Sequence, residues 1–363
     1  MELGIIGLPK SGKTTTFNAL TRGHAEAGDA SAKPNIGVAK VPDPRLDFLA
    51  SVFKPKRVVP AEVRYIDIPG APEGLGRSGD LGGRYLNSLQ SCDALLHVVR
   101  AFNDPSVPHV EGYTDPYRDI STMDLELTFS DLAILERRSE RLTAELKGIK
   151  AQERNRVQGE AALIERLKQA LSQDTPLREQ NLTLDEGNMI SGYQFLTGKP
   201  LLILQNVDEE QTPNLLELEE EMSLRLNARS VGCAVMCGIL EEELSQMDPE
   251  EEEGYRRSQK ACEPGADRMI KLSYSQLNLV SFLTVGPDEV RAWSIPEGTP
   301  AAKAAGVIHS DMERGFIRAE VISYDDLARC GGMVEARRRG VLRAEGRGYP
   351  VQDGYIINFL FNV

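Results

Sequence analysis

The sequence has no apolar run approaching the roughly 20 residues that a membrane helix needs, so no spanning helix is expected. Its N-terminus lacks the basic-then-apolar layout of a secretory signal, and Met1 is expected to open the first strand directly. The cysteines Cys92, Cys233, Cys237, Cys262 and Cys330 are odd in number and scattered, with no C-x-x-C pair. That pattern excludes a disulfide framework, argues against zinc and reads as reduced thiols in a cytosolic chain, Cys233 and Cys237 as buried strand residues. Positive charge is in deficit: a formal net charge of -13 excludes a surface built throughout to wrap nucleic acid. Internal repeats and low-complexity tracts are also absent.

What is present is the composition of a globular protein, and 363 residues are enough for two or three domains. LGIIGL (3–8), AEVRYIDI (61–68), ALLHVV (94–99), PLLIL (200–204) and the stretch near Val231 to Cys237 are short apolar runs separated by helical stretches. This is the pattern of an α/β domain with a mostly parallel sheet covered on both faces, discontinuous over 1–120 and 196–275. Between those halves the period changes to three or four: Leu125, Phe129, Leu132, Leu135, Leu142 and Leu146, then Leu163, Ile164, Leu167, Ala170 and Leu171. With the polar KAQERNRVQG between them, the two stripes predict a helical coiled-coil hairpin inserted at 121–195; the alternative is a pair of helices that merely cover the sheet. From about Leu277 short runs broken by Gly and Pro predict a separate strand-rich domain over 276–363. Two basic segments interrupt the acidic background, Lys54, Lys56 and Arg57, and Arg337, Arg338, Arg339, Arg343 and Arg347; such runs are more often solvated surface than contact sites.

The strongest chemical signal is Gly7-Leu8-Pro9-Lys10-Ser11-Gly12-Lys13-Thr14, which fits G-x-x-x-x-G-K-[ST] between a predicted strand and a predicted helix. Backbone amides and a helix N-terminus converge there on anionic oxygens. Gly7 and Gly12 admit the phosphates, Lys13 bridges the outer pair, and the Thr14 hydroxyl is a hard oxygen ligand for Mg2+; Pro9, Lys10, Ser11 and Thr15 complete the expected cradle. Asp67-Ile68-Pro69-Gly70 ends the next strand as D-x-x-G, with Asp67 expected to reach the metal and the Gly70 amide the γ-phosphate. The stretch after it is rich in Gly and Pro, as a switch loop would be. Asn206-Val207-Asp208-Glu209 follows PLLILQ, where a base-reading loop belongs. Val207 stands where a guanine site usually has lysine and Glu209 where it has aspartate, which tilts the choice towards adenine; an ordinary polar turn at a strand end is the competing reading.

These motifs together resemble the Obg-like ATPases of the YchF type, a translation-factor-class branch of the P-loop GTPases. The likeness covers nearly the whole chain through GLPKSGKTTTFNAL, KPNIGVAKVPDPRLDFLA, DIPG, HVVRAF, NVDE, FLTVGPDEVRAWSIPEGTPAAKAAGVIHSDMERGFIRAEVI and EGRGYPVQDGYIINFLFNV. It implies a Ras-like P-loop domain, the inserted hairpin, and a C-terminal TGS domain with the β-grasp fold. It also implies hydrolysis of ATP in preference to GTP and association with the ribosome or ribosomal RNA. A cytoplasmic monomer with neither membrane nor DNA partners is the corresponding expectation. By the same resemblance Ser31 takes the place of the switch-one threonine as a ligand of Mg2+ and the γ-phosphate. Ala71 stands where Ras-like enzymes carry a water-orienting glutamine, and His109 matches a histidine that is a candidate for that role; a surface loop histidine is the bland alternative.

The chain also departs from the family. Lys10 replaces the asparagine that helps bind a monovalent cation in some relatives, and its ammonium is expected to take over that cation's position. The segment before KPNIG reads AGDASA in place of an aromatic-containing switch. Two function classes follow, a slow ATPase of switch type and a nucleotide-gated binding module with little hydrolysis. An RNA adaptor acting through the Arg337 to Arg347 group is compatible with either.

Overall fold

The structure, a computed structural model, describes residues 1–25, 34–68, 83–148, 151–226, 231–258 and 264–362. In chain order it opens with β1 (Glu2–Ile6), α1 (Lys13–Thr21), β2 (Asn35–Lys40), α2 (Pro44–Phe53), β3 (Arg57–Val59), β4 (Glu62–Asp67), α3 (Gly83–Ser91) and β5 (Ala94–Arg100). The long helices α4 (Pro116–Gly148) and α5 (Ala151–Leu171) follow, then α6 (Leu184–Ile190), β6 (Leu201–Asn206), α7 (Leu215–Leu226) and β7 (Val231–Met236). Next come α8 (Gly238–Ser245), α9 (Pro249–Ser258), α10 (Gly265–Gln276), β8 (Leu279–Val285), β9 (Glu289–Pro296), α11 (Ala301–Ile308) and α12 (Ser310–Arg314). The chain ends with β10 (Phe316–Ser323), α13 (Tyr324–Cys330), α14 (Met333–Arg339), β11 (Arg343–Glu345) and β12 (Tyr355–Phe361).

The expected α/β class is observed. One six-stranded sheet has the order β2-β4-β1-β5-β6-β7. The pairs β1·β4, β1·β5, β5·β6 and β6·β7 are all parallel, and every residue of β5 is buried, which is why its sequence is apolar apart from His97 and Arg100. From β1 the chain moves to β4 on one side and returns to β5 on the other. The carboxyl end of β1 is therefore a topological switch point, the crevice where open α/β sheets bind ligands.

Helix α4 changes partners along its length. Its first turns bury Ile120, Met123 and Leu127 in the core of the sheet, while Leu135 and Leu142 pack with Val157, Ile164, Leu167 and Leu171 of α5. Both readings of this region thus hold in part: the helix covers the sheet first and forms a hairpin afterwards. Leu125 and Phe129, which the period assigns to the seam, are exposed, because the face that meets the sheet is offset from the face that meets α5. The polar segment expected to join the helices is instead the opening of α5. Buried Asp131 of α4 accepts bonds from the Leu196 amide (2.9 Å), the Thr197 amide (2.7 Å) and the Thr197 hydroxyl (2.7 Å), fixing the return of the chain towards β6.

The described chain divides into two compact units, Met1–Gly37 with Arg64–Ala266, and Val38–Val63 with Asp267–Val363. The second contains a sheet of order β11-β10-β12-β8-β9-β3 over a core that includes Phe282, Ile295, Ala304, Val321 and Ile357. Val38–Val63 joins this unit although the sequence reading assigns it to the nucleotide domain. The reason is β3, three residues too short to register as a strand in sequence, which pairs in parallel with β9. Arg45 adds an ion pair to Asp353 (2.7 Å) while its other nitrogens hold Asp43, the cap of α2. Among the described residues no helix is long and apolar enough to cross a membrane.

Candidate nucleotide-binding site

The phosphate loop is set by two glycines in conformations that side chains rarely adopt. At Gly7 (φ 148°) a Cβ would stand 2.3 Å from the Val98 carbonyl oxygen of the neighbouring strand. At Gly12 (φ 92°) it would stand 2.2 Å from Asn206 Nδ2, so each position requires glycine for space as well as for backbone angle. Helix α1 begins at Lys13 and directs its free amides at the loop. Ser11 Oγ is buried beside Gly7 and has no partner among the described residues, a donor in position for an anionic oxygen. Pro9 and Thr15 are half-buried at the edge of this cradle.

The Lys13 ammonium donates to the carbonyl oxygens of Gly7 (3.1 Å) and Leu8 (3.0 Å). Burial pushes its pKa down to about 8, and the Asp67 carboxylate partly opposes that shift. Thr14 Oγ1 donates to Asp67 Oδ2 at 2.9 Å, and Asn35 Nδ2 approaches the same oxygen at 3.3 Å. A hydroxyl and a buried carboxylate held together are hard oxygen donors. Among the described residues no group of three or more His, Cys, Asp or Glu could hold a metal alone. Such a sparse set fits Mg2+, which keeps waters and phosphate oxygens in most of its positions. Ser31, Gly70 and Ala71, assigned to the metal, the γ-phosphate and the missing glutamine, lie outside the described residues.

At the other end of the cradle the motif residues divide. Asn206, buried at the end of β6, donates to the Ser11 carbonyl (3.1 Å) and accepts from the Gly238 amide (2.9 Å), bracing the phosphate loop against the start of α8. Val207 is 2 % exposed and belongs to the sheet core, so its side chain does not face a base. Asp208 accepts from the Asn103 amide (3.0 Å) and caps the short helix that follows. Glu209 is exposed, with the Tyr255 hydroxyl 3.5 Å away. Phe102, which the sequence reading passed over, comes within 3.9 Å of the Cβ position of Gly12 and lies under the Arg100 guanidinium, 4.4 Å from its ring centre.

His109 lies in the loop between β5 and α4 and is not a free surface side chain. Its Nε2 is 2.8 Å from Asp119 Oδ2, its Nδ1 accepts from the Glu111 amide at 3.0 Å, and the side chain is 4 % exposed. Since Nδ1 accepts, the proton sits on Nε2 and is donated to Asp119. Arg118 holds the other Asp119 oxygen at 2.8 Å. His97, inside β5, differs: among the described residues neither ring nitrogen has a partner, and burial with the Lys13 charge pushes its pKa down to about 3, so it is neutral.

Lys10 is exposed and adopts a left-handed backbone (φ 65°), a conformation that asparagine tolerates and that costs other side chains about 1–2 kcal/mol. The basic segments are largely paired. Arg338 and Arg339 contact Glu335 (2.8 and 2.6 Å), Arg337 contacts Glu320 (3.2 Å), and Lys56 and Arg57 contact Asp288 and Glu289 (2.8 Å each).

Comparison with known proteins agrees with this geometry. A family profile described as "50S ribosome-binding GTPase" matches residues 2–133, and the profile of the YchF GTPase C-terminal region, described as a protein of unknown function, matches 279–362. The chain is 38% identical over 368 residues to the "Ribosome-binding ATPase YchF" of Bacillus subtilis, with all of both chains covered. It is 38% identical over 365 residues to the protein of the same name from Escherichia coli O157:H7, covering 100% of this chain and 99% of the relative. The solved structure of the Schizosaccharomyces pombe YchF GTPase superposes with a TM-score of 0.87 at 31% identity, covering 99% of this chain and 97% of that one. Full-length identity, both profiles and the superposition agree, and the chain belongs to the YchF family of P-loop nucleotide-binding proteins.

Proposed function

We propose that this chain is a magnesium-dependent ATPase of switch type that associates with the ribosome in the cytoplasm, as a monomer with neither DNA nor membrane partners. The observation that carries the reading is the convergence of Lys13, Thr14 and Asp67 under a glycine-shaped anion cradle at the sheet's switch point. Gly7 to Thr15 hold the triphosphate, and Thr14 and Asp67, with Ser31, hold the metal. Magnesium, when bound, neutralises charge on the outer phosphates. Lys13 stabilises the phosphoryl oxygens from the side of the loop, and Gly70 senses the γ-phosphate through its amide. Asn206, the Val207 backbone and Glu209 border the base. Glu209, longer than aspartate and an acceptor only, suits the adenine amino group.

With Ala71 unable to orient water, His109 is the candidate, and it must leave Asp119 to do so. Intrinsic turnover is therefore slow. The lock on His109 also favours a second reading, a nucleotide-gated binding module in which hydrolysis is incidental. Lys10 supports the enzyme: a strained lysine at the loop's mouth supplies a built-in cation beside the phosphates, which makes hydrolysis independent of potassium. Strong potassium stimulation of the wild type would refute that role.

The C-terminal unit, read as containing a TGS domain of the β-grasp type from about residue 276, is the better candidate for the ribosome-facing side. It carries 17 Lys and Arg against 15 Asp and Glu, a net charge of +2, while the other unit carries -15, which together make the chain's -13. Ribosome pelleting across a salt series tests this: binding that weakens with salt and requires ATP supports the reading, and no association in any nucleotide state contradicts it.

A further inference from the structure

Asn35 is the first residue of β2 and Asp67 the last of β4, and the two strands are neighbours in the sheet. The Asn35 amide nitrogen stands 3.3 Å from Asp67 Oδ2, the oxygen that also accepts the Thr14 hydroxyl at 2.9 Å. The two donors behave differently when a cation arrives. The Thr14 hydroxyl has a single proton on a freely turning bond and also offers lone pairs to a metal, so its hold on Asp67 depends on which way that one proton points. A side-chain amide nitrogen has no lone pair to give and no proton to lose, and it donates throughout. Asp67 is buried, and a carboxylate there keeps its orientation only while a donor holds it.

We propose that Asn35 is a positioning residue for the magnesium site, its amide holding Asp67 so that the carboxylate faces the hydrated cation whether or not nucleotide is bound. The inference rests on the magnesium-nucleotide reading given above. It assigns Asn35 an action through Asp67, without contact to the metal. Partners of this kind are typically worth about 10- to 100-fold in metal affinity.

The test is a magnesium titration of the full chain with a fluorescent ATP analogue, read as the Mg2+ concentration that gives half of the affinity gain. Asn35→Ala removes the amide, and Asn35→Leu removes it at nearly constant side-chain volume, which guards against a packing or folding defect. Both should raise the midpoint about tenfold and leave affinity in EDTA within about twofold. In an Asp67→Asn background the same substitutions should add nothing further, since the carboxylate they act through is gone. Midpoints unchanged in both variants overturn the proposal and leave the magnesium reading standing. An Asn35 effect of equal size in the Asp67→Asn background also overturns it, because Asn35 would then act through the strand. Wild-type binding that ignores Mg2+ altogether defeats the magnesium reading itself, and with it the role of Asn35.

Discussion

The phosphate end and the base end of the nucleotide site are marked in the sequence by motifs of similar kind, yet the side chains behind them do different work. At the phosphate end the lettered residues face the ligand space: Lys13 and Thr14 point inward, and the glycines are required by contacts of 2.2 and 2.3 Å. At the base end the letters mostly face the protein. Asn206 braces Ser11 and Gly238, Val207 fills the core, Asp208 caps a helix, and Glu209 alone is left exposed. Phosphate recognition depends on backbone amides and one ammonium, so the loop's shape is the site. Base recognition at a strand end would depend on a few side chains, and here scaffold contacts already occupy most of them.

The contrast is broken most strongly at Lys13. Lys13→Ala should lower triphosphate affinity by at least about 100-fold, roughly 3 kcal/mol for a desolvated charge pair, measured by equilibrium binding. Its pKa near 8 gives the direction with pH. The ammonium is present below about 8, so triphosphate affinity should hold there and decline as pH rises past 8. Stability of the nucleotide-free chain should move the other way: the folded-state pKa is below the unfolded one, so the unfolded chain binds more protons and stability rises between about 8 and 10.4.

Next in size is Asn206→Ala, which leaves the Ser11 carbonyl and the Gly238 amide unpaired. It should destabilise the nucleotide-free protein by about 2–4 kcal/mol in denaturant unfolding. If stability were unchanged while ATP affinity fell, Asn206 would be a base reader first and a brace second. Glu209→Gln sharpens the same point from the exposed side. It should shift the ATP to GTP preference by less than about tenfold, roughly one hydrogen bond, with no change in unfolding midpoint.

The smallest effect is expected at the arginines. Converting Arg337, Arg338 and Arg339 to Ala should reduce ribosome binding a few-fold, at about one counterion per phosphate contact removed, because exposed pairs to Glu320 and Glu335 open readily. Unchanged binding and an unchanged salt slope would exclude this group from the interface.

The legibility of the molecule follows the same division. The central strands could be read because they are buried on both faces and therefore mostly apolar, and the phosphate loop because its spacing is dictated by a ligand. Helix α4 was legible as a helix, but its change of partner was not: Leu125 and Phe129 keep the period and still face outward, since period alone does not say what a helix packs against. Strand β3 was invisible because three residues carry no alternation, and with it the membership of Val38–Val63. Asn35 and Phe102 lie outside any motif that the chemistry of phosphate binding would mark; only the fold brings them to Asp67 and Gly12. The position of His109 could be named in sequence, but its bond to Asp119 depends on how the loop folds back on α4.

The direct test of this chain as a His109-dependent ATPase is single-turnover hydrolysis of ATP and GTP with Mg2+, for the wild type and His109→Ala, with and without potassium. Hydrolysis of ATP in preference to GTP, indifferent to potassium and lost in the His109 variant, is expected. Tight ATP binding with no hydrolysis under any condition would contradict it and leave a nucleotide-gated binding module, while a preference for GTP would overturn the reading of Glu209.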